Sequence, residues 1–140
     1  HEVARTKWNQ NLQIEDLPRE QQIIASLVKQ GESYGMDSAW IRKFFQAQFD
    51  AAKLIQHNDF AIWSNQKDLK FESILDLKQD IRPYLDQLSF ELMEALARLY
   101  PEVKEGKVVP FILPNCLSVR STDYIEDQVW QVAVSPLLHP

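Results

Sequence analysis

Apolar residues recur every three or four positions over most of this chain, which is the spacing of one face of an α-helix. The pattern predicts a first helix that ends near residue 10, helices over residues 16–35 and 37–63, a long helix from about residue 81 to Pro101, and a short one over residues 121–134. Residues 108–119, with two prolines, are predicted to form a loop. Because only three glycines occur in 140 residues, the fold class is predicted to be all-α, with a single helical domain.

Several residues that start or stop helices support these boundaries. Asp16 and Asp37 have a side chain that commonly caps helix N-termini, and Ser121 is a similar candidate for the last helix. Pro18 falls in a first helical turn, where its missing N–H costs little. We expect Pro101 to end the fourth helix, because a proline inside a helix removes a hydrogen bond and clashes with the preceding turn.

Composition excludes several classes of function. A formal net charge of -5 argues against a nucleic-acid-binding surface, which requires clustered Lys and Arg. The sequence contains no run of about 18 apolar residues, so no membrane-spanning helix is predicted. Cys116 is the single cysteine, so an intramolecular disulfide and a thiolate metal cluster are excluded. Neither nucleic acid nor membrane is therefore expected as a partner.

Common catalytic motifs are also missing from the sequence. The three histidines, at positions 1, 57 and 139, are scattered, so neither a metal site nor a Ser/His/Asp arrangement has a plausible nucleus. No glycine-rich phosphate loop occurs. No metal is therefore expected.

Polar side chains fall inside the apolar arc of four predicted helices when each is projected at 100° per residue. They are Lys7 on the first helix, Glu20 with Arg19 at its edge on the second, Gln48, Gln56 and Asp59 on the third, and Arg82 bordering the arc of the fourth. Each could be satisfied singly, as a core glutamine bonded to a backbone carbonyl or a lysine reaching past a tryptophan. An unpaired buried charge costs several kcal/mol, so one shared polar site formed by Lys7, Arg19, Glu20, Gln56 and Arg82 explains the pattern more simply. Gln48 and Asp59 are left outside this site, with a structural role as the alternative.

The charges of this shared site indicate its ligand. Lys7, Arg19 and Arg82 outnumber Glu20, so the site should attract an anion. The guanidinium fork of arginine matches a carboxylate, while Glu20 and Gln56 would serve a hydroxyl or ether oxygen. A site without nucleophile, metal or obvious proton shuttle suits a reaction driven by positioning and electrostatics.

Three stretches of the chain resemble a known family. "VARTKWNQNLQIEDLPREQQII", "FFQAQFDAAKLIQ" and "DIRPYLDQL", within about residues 3–96, are similar to the exported gamma subclass of the all-helical chorismate mutases. The resemblance implies rearrangement of chorismate to prephenate by a Claisen reaction, without a cofactor. It also implies a homodimer and a periplasmic or secreted location.

The resemblance further implies roles for individual residues. Lys7 and Gln56 would donate hydrogen bonds to the ether oxygen, where negative charge develops in the transition state. Arg19 and Arg82 would hold carboxylates, and Glu20 would bind the ring hydroxyl.

Two positions depart from a full match or leave alternatives open. Asp16 matches an acidic residue near the hydroxyl end of the substrate, but it could equally serve only as a helix cap. Ala52 stands where family members carry a small hydroxyl residue or alanine, so no side-chain hydrogen bond is expected there.

The family uses a further carboxylate-binding arginine about three turns before Lys7, which would precede His1. The first helix is therefore expected to be incomplete at its N-terminal end. If the working protein began at His1, the site would lack one cation and activity should be much reduced.

The main alternative is a helical module without catalytic activity. Such a module would be either a related protein that has lost turnover or an interaction protein whose polar residues form structural networks. The aromatic stripe of the third helix could also be a partner surface, although Phe44, Phe45, Phe49 and Trp63 have the pattern of core residues.

Overall fold

A computed structural model describes residues 1–107 and 124–138, and within these ranges every regular element is a helix, as predicted. The helices are α1 (Glu2–Asn9), α2 (Leu17–Ser33), α3 (Ser38–Trp63), α4 (Arg82–Lys104) and α5 (Tyr124–Leu138), with a π-helical turn (Leu77–Ile81) leading directly into α4. The predicted loop over residues 108–119, the predicted cap Ser121, Cys116 and His139 lie outside the described residues. No helix in the described ranges is long and apolar enough to cross a membrane.

The predicted N-terminal caps of α2 and α3 are confirmed. A side-chain oxygen of Asp16 accepts a hydrogen bond from the backbone N–H of Arg19 at 3.3 Å. Asp37 accepts in the same way from the N–H of Trp40 at 2.8 Å. Just beyond the end of α2, Gly35 has a φ of 73°, a left-handed conformation that glycine adopts without steric cost. Local side-chain chemistry therefore sets the start of α2 and α3 and the end of α2.

The predicted end of the fourth helix is wrong. Helix α4 continues through Pro101 to Lys104. A proline costs the helix one hydrogen bond, but the turn that follows buries Val103 at 1% exposure, and Tyr100 is also buried. Burial of this last turn in the core thus outweighs the local disadvantage of proline. Helix α5 likewise runs beyond the predicted residue 134, with Pro136 buried inside it.

One large apolar core lies around the first half of α3. Its buried members come from α2, α3 and the second half of α4, with Met36 from the short α2–α3 connection: Ile24, Leu27, Val28, Met36, Trp40, Ile41, Phe44, Phe45, Met93, Leu96, Tyr100 and Val103. Helices α2 and α3 approach closely at Gly31, where an added Cβ would collide with the side chain of Ile41. Helix α5 closes the core, and its Pro136 carbonyl accepts a hydrogen bond from the indole N–H of Trp40 at 3.0 Å.

The second half of α3 packs against α1 instead. Trp8 contacts Phe60 and Trp63 edge-on, with ring centroids 5.2 and 5.8 Å apart. The Trp8 indole N–H also donates to the carbonyl of Leu69 at 2.9 Å, and the Thr6 hydroxyl donates to that of Leu75 at 2.9 Å. These contacts fix the position of α1. Lys7, the residue after Thr6, then faces the space between α1, α2 and α3.

Candidate active site

A cavity of about 320 Å³ opens between α1, α2, the middle of α3 and the first half of α4. It is lined by every side chain that the helix projection or the family resemblance assigns to the site: Lys7, Asp16, Arg19, Glu20, Ala52, Gln56 and Arg82. Gln48 also borders it, whereas Asp59 does not. The structure therefore brings the predicted residues together in one place.

Lys7 is the most buried cation of the cavity. Only 8% of the residue is exposed, and its ammonium donates a hydrogen bond to the carbonyl of Ile14. Burial lowers the pKa of Lys7 below its ordinary value, while the carboxylates of Asp16 and Glu20 act in the opposite direction. Lys7 is thus a positive donor in a poorly hydrated position, where its interaction with an anion is strengthened.

Arg82 enters the cavity from the first residue of α4. Its Nη2 contacts Asp16 Oδ2 at 2.9 Å, while the other Asp16 oxygen caps α2. Asp16 therefore has both a capping role and an ion-pair role. The π-helical turn before Arg82 is capped by Asp76, whose Oδ1 accepts from the N–H groups of Lys78 and Gln79 at 2.8 and 2.7 Å.

Arg19 forms a second ion pair at the cavity. Its Nη2 lies 2.8 Å from both carboxylate oxygens of Asp86, one turn after Arg82 on α4. The Arg19 Nε is buried and has no hydrogen-bond partner among the residues that the structure describes. A donor left in this way is available to an acceptor group of a bound ligand.

Glu20 is paired with a lysine that the sequence analysis missed. Lys53 Nζ lies 3.1 Å from Glu20 Oε2 and 3.1 Å from Asp50 Oδ1. Burial is the largest influence on the pKa of Lys53 and lowers it, but the hydrogen bonds and charges of Asp50 and Glu20 together raise the pKa above its ordinary value. Lys53 thus remains a cation beside Glu20.

Gln56 is 8% exposed and only partly satisfied. Its Nε2 donates to the carbonyl of Ala52 at 3.1 Å, and its Oε1 is buried with no hydrogen-bond partner in the described part of the chain. A primary amide has two donor hydrogens and one carbonyl oxygen, so Gln56 retains unused hydrogen-bonding capacity at the cavity wall.

The cavity combines an excess of positive charge with an apolar side. Four cations, Lys7, Arg19, Lys53 and Arg82, face the three carboxylates of Asp16, Glu20 and Asp86, which leaves one net positive charge. The apolar lining is formed by residues that include Phe45, Phe49, Leu85, Leu88 and Leu92. The arrangement suits a small anion that has an apolar ring or chain. In residues 1–107 and 124–138, no group of His, Cys, Asp and Glu is placed to hold a metal ion.

Two signals in the sequence could have revealed the missed residues. Asp86 follows Arg82 by four positions, so both residues lie on the same face of α4. Lys53 precedes Gln56 by three positions, so it too shares a helix face with a predicted site residue. Each was overlooked because a charged residue near the edge of an apolar arc usually reaches solvent.

Known proteins similar to this chain form one group. The sequence profile of the family described as "Chorismate mutase type II" matches residues 1–57. A "Secreted chorismate mutase" of Mycolicibacterium smegmatis is 29% identical over 137 residues, which are 98% of this chain and 75% of the relative. Another "Secreted chorismate mutase", from Yersinia pestis, is 34% identical over 97 residues, covering 69% of this chain and 50% of the relative.

A solved structure agrees over most of both chains. The crystal structure of chorismate mutase from Burkholderia thailandensis superimposes with a TM-score of 0.83 at 30% identity, and covers 97% of this chain and 87% of that one. The similarity therefore extends beyond residues 1–57 to the whole helical arrangement. This chain spans three quarters of the first curated relative's length and half of the second's.

Proposed function

The chain belongs to the exported branch of the all-helical chorismate mutase family, and on this premise we propose that its cavity converts chorismate to prephenate. The protein is then an isomerase that acts in the periplasm or outside the cell. One observation carries the assignment of the cavity, namely that side chains from four separate helices converge on a space with excess positive charge.

The proposed reaction is a rearrangement within one molecule. The enol ether C–O bond of chorismate breaks while a new C–C bond forms, so that no atom enters or leaves. Negative charge grows on the ether oxygen as its bond lengthens. Fixed donors aimed at that oxygen stabilise the transition state more than the ground state, which is the condition for catalysis.

Lys7 and Gln56 are the proposed donors to the ether oxygen. Both are buried at the cavity wall, and each keeps an N–H donor beyond the one bonded to a backbone carbonyl. Gln56 Nε2 gives one of its two hydrogens to the carbonyl of Ala52 and retains the other. Lys7 has three N–H donors, of which the carbonyl of Ile14 takes one. The Gln56 amide is neutral, so it donates without first gaining a proton.

Arg19 and Arg82 are the proposed carboxylate ligands. In the structure their guanidinium groups contact Asp86 and Asp16, at 2.8 and 2.9 Å. We propose that the two carboxylates of chorismate replace these contacts, wholly or in part, and thereby hold the substrate in a compact reactive conformation. Holding the reacting atoms close together removes much of the entropic part of the barrier.

The ring hydroxyl of the substrate is assigned to acidic residues. Glu20 is proposed to accept a hydrogen bond from the ring hydroxyl, with Asp16 as a nearby contributor at the same end. Ala52 lines the cavity one turn before Gln56 and supplies no side-chain hydrogen bond, so its proposed role is van der Waals contact with the substrate.

Ultraviolet absorbance measures this activity directly, because chorismate loses its conjugated diene when it rearranges. We expect the complete protein to consume chorismate and the Lys7→Ala variant to lose about 10²- to 10³-fold in kcat/KM, the usual effect of removing one transition-state donor. Lys29→Ala is the matched control, because Lys29 is an exposed lysine of α2 that does not line the cavity. Absence of turnover by the complete wild-type protein would contradict the proposal.

A homodimer is also proposed. The family resemblance supports it, as do large apolar side chains of α4 that are exposed and do not line the cavity, including Tyr84 at 69% and Phe90 at 46%. Light scattering should give twice the mass of one chain. A single-chain mass at micromolar concentration would contradict this part of the proposal.

A further inference from the structure

The contact between Lys53 and Glu20 has no part in the roles described above. Lys53 comes from α3 and Glu20 from α2, so their 3.1 Å contact joins two walls of the cavity. Their side chains are only 18% and 10% exposed, and both residues line the cavity. Lysines usually lie in solvent, so the burial of Lys53 against Glu20, the proposed ligand of the ring hydroxyl, indicates a role at the site.

The two oxygens of the Glu20 carboxylate have different surroundings. Lys53 Nζ contacts Oε2, and no other side-chain hydrogen bond to Glu20 occurs among the described residues. The second oxygen, Oε1, is thus left to receive a hydroxyl hydrogen. Because a carboxylate is planar, fixing one oxygen from α3 restricts where the other oxygen can lie.

Asp50 holds Lys53 from the other side. Its Oδ1 lies 3.1 Å from Lys53 Nζ, one turn earlier on α3. The side chain of Asp50 is 48% exposed, so this contact is the weaker, solvent-screened one. The ammonium thus bridges a cavity carboxylate and a surface carboxylate, and the raised pKa of Lys53, which burial opposes, keeps it charged between them.

We propose that Lys53 is a positioning residue, which fixes the Glu20 carboxylate so that its free oxygen accepts the ring hydroxyl of the substrate. The inference rests on the proposed function and extends it, because it makes recognition of the hydroxyl depend on a pair of residues. Lys53 itself acts through Glu20 and not on the breaking C–O bond. Its loss should therefore raise KM more than it lowers kcat, since the hydroxyl contact is made in the ground state and in the transition state.

A double-mutant cycle tests whether Lys53 acts through Glu20. We expect Lys53→Met to lower kcat/KM for chorismate by about 10- to 100-fold, which is near the lower end of the effect of removing one partner of a buried charge pair because this pair is not fully buried. In a Glu20→Gln background the same change should cost less than about 3-fold, because there is no longer a carboxylate to position. Lys53→Arg should restore most of the activity, since it returns a cation to the same place.

Asp50→Asn is the matched control. It removes the negative charge of the exposed contact and leaves the buried pair intact, so kcat/KM should stay within about 3-fold of wild type. Thermal unfolding of each variant separates a loss of folding from a loss of function. If Lys53→Met reduces the folded fraction, kcat and KM are expressed per folded molecule, and the KM-to-kcat split of that variant carries the test.

Two results would overturn the inference while leaving the proposed function intact. One is a Lys53→Met variant as active as wild type. The other is an equal loss in the wild-type and Glu20→Gln backgrounds, which would mean that Lys53 acts independently of Glu20. Failure of the wild-type protein itself to consume chorismate would instead overturn the proposed function, so the two failures are distinguishable.

Discussion

Gln48 and Gln56 lie eight residues apart in the same apolar arc of α3, yet their surroundings differ. The Gln48 amide donates to two backbone carbonyls, of Phe44 at 3.3 Å and of Ala133 in α5 at 2.7 Å. The Gln56 amide makes one side-chain hydrogen bond and leaves a buried oxygen without a partner. A buried polar residue therefore indicates a binding site when its hydrogen bonds remain unused, and indicates structure when they are made.

The same division extends along the helix. The first half of α3 is enclosed by α2, α4 and α5 and contributes Trp40, Ile41, Phe44 and Phe45 to the core. The second half contributes Ala52, Lys53 and Gln56 to the cavity wall. We expect changes at the core residues Trp40, Ile41 and Phe44 to alter the free energy of unfolding, and changes at the cavity residues Ala52, Lys53 and Gln56 to alter catalysis.

Ile41→Ala should produce the largest effect on stability. The side chain is fully buried, so its truncation should lower the free energy of unfolding by about 2–5 kcal/mol. The kcat/KM per folded molecule should remain within about 3-fold of wild type, because Ile41 does not line the cavity. Chemical denaturation and the chorismate assay measure the two quantities. A large loss of kcat/KM in fully folded protein would contradict the assignment of Ile41 to the core alone.

Gln56→Glu should have the next largest effect, and it should depend on pH. A glutamic acid donates to the ether oxygen only when protonated, so the variant should be most active at low pH and lose activity as pH rises through the pKa of the new carboxyl. Near pH 8 we expect a loss of about 10²-fold, comparable with removal of one transition-state donor. A profile of kcat/KM against pH that matches wild type would reject the role of Gln56.

The wild-type profile follows from Lys7. Because the Gln56 amide does not titrate, kcat/KM should be flat from neutral to mildly alkaline pH. Burial lowers the pKa of Lys7, so activity should fall on the alkaline side at a lower pH than an ordinary lysine would give. The Gln56→Glu variant should keep this alkaline limit, but its activity will already have fallen at lower pH because the new carboxyl loses its proton there.

Gln48→Ala should have the smallest effect. The variant loses the hydrogen bond between α3 and the Ala133 carbonyl, which is worth about 1 kcal/mol of unfolding free energy. Denaturant titration measures this loss. A change above about 3 kcal/mol would show that Gln48 does more than connect the two helices.

Much of the fold was predictable because its signals are local. The capping side chains of Asp16 and Asp37 lie within three residues of the N–H groups they bind, so sequence alone set the start of two helices. Pro101 failed as a stop signal because the turn after it buries Val103 against residues distant in sequence. Tertiary burial of this kind is not encoded in the local pattern.

The site was predictable in its membership and less so in its pairings. Lys7, Arg19 and Arg82 were predicted to lie together because each falls within or beside the apolar arc of its helix. The arcs did not show that Asp86 and Lys53 also line the cavity. Which carboxylate meets which cation depends on the distance between helices, which a wheel does not contain. The partner of Asp59 could not be predicted for the same reason. Its buried carboxylate lies 2.7 Å from His1 Nδ1, and burial raises its pKa.

The central claim is that this cavity holds the dicarboxylate while it rearranges. A crystal structure of the complete protein with a bicyclic dicarboxylate analogue of the transition state tests it most directly. We predict that Arg19 and Arg82 bind the analogue's carboxylates, and that Lys7 Nζ and Gln56 Nε2 lie within about 3.2 Å of its ether oxygen. An analogue bound elsewhere, or bound here with its ether oxygen out of reach of both donors, would contradict the account.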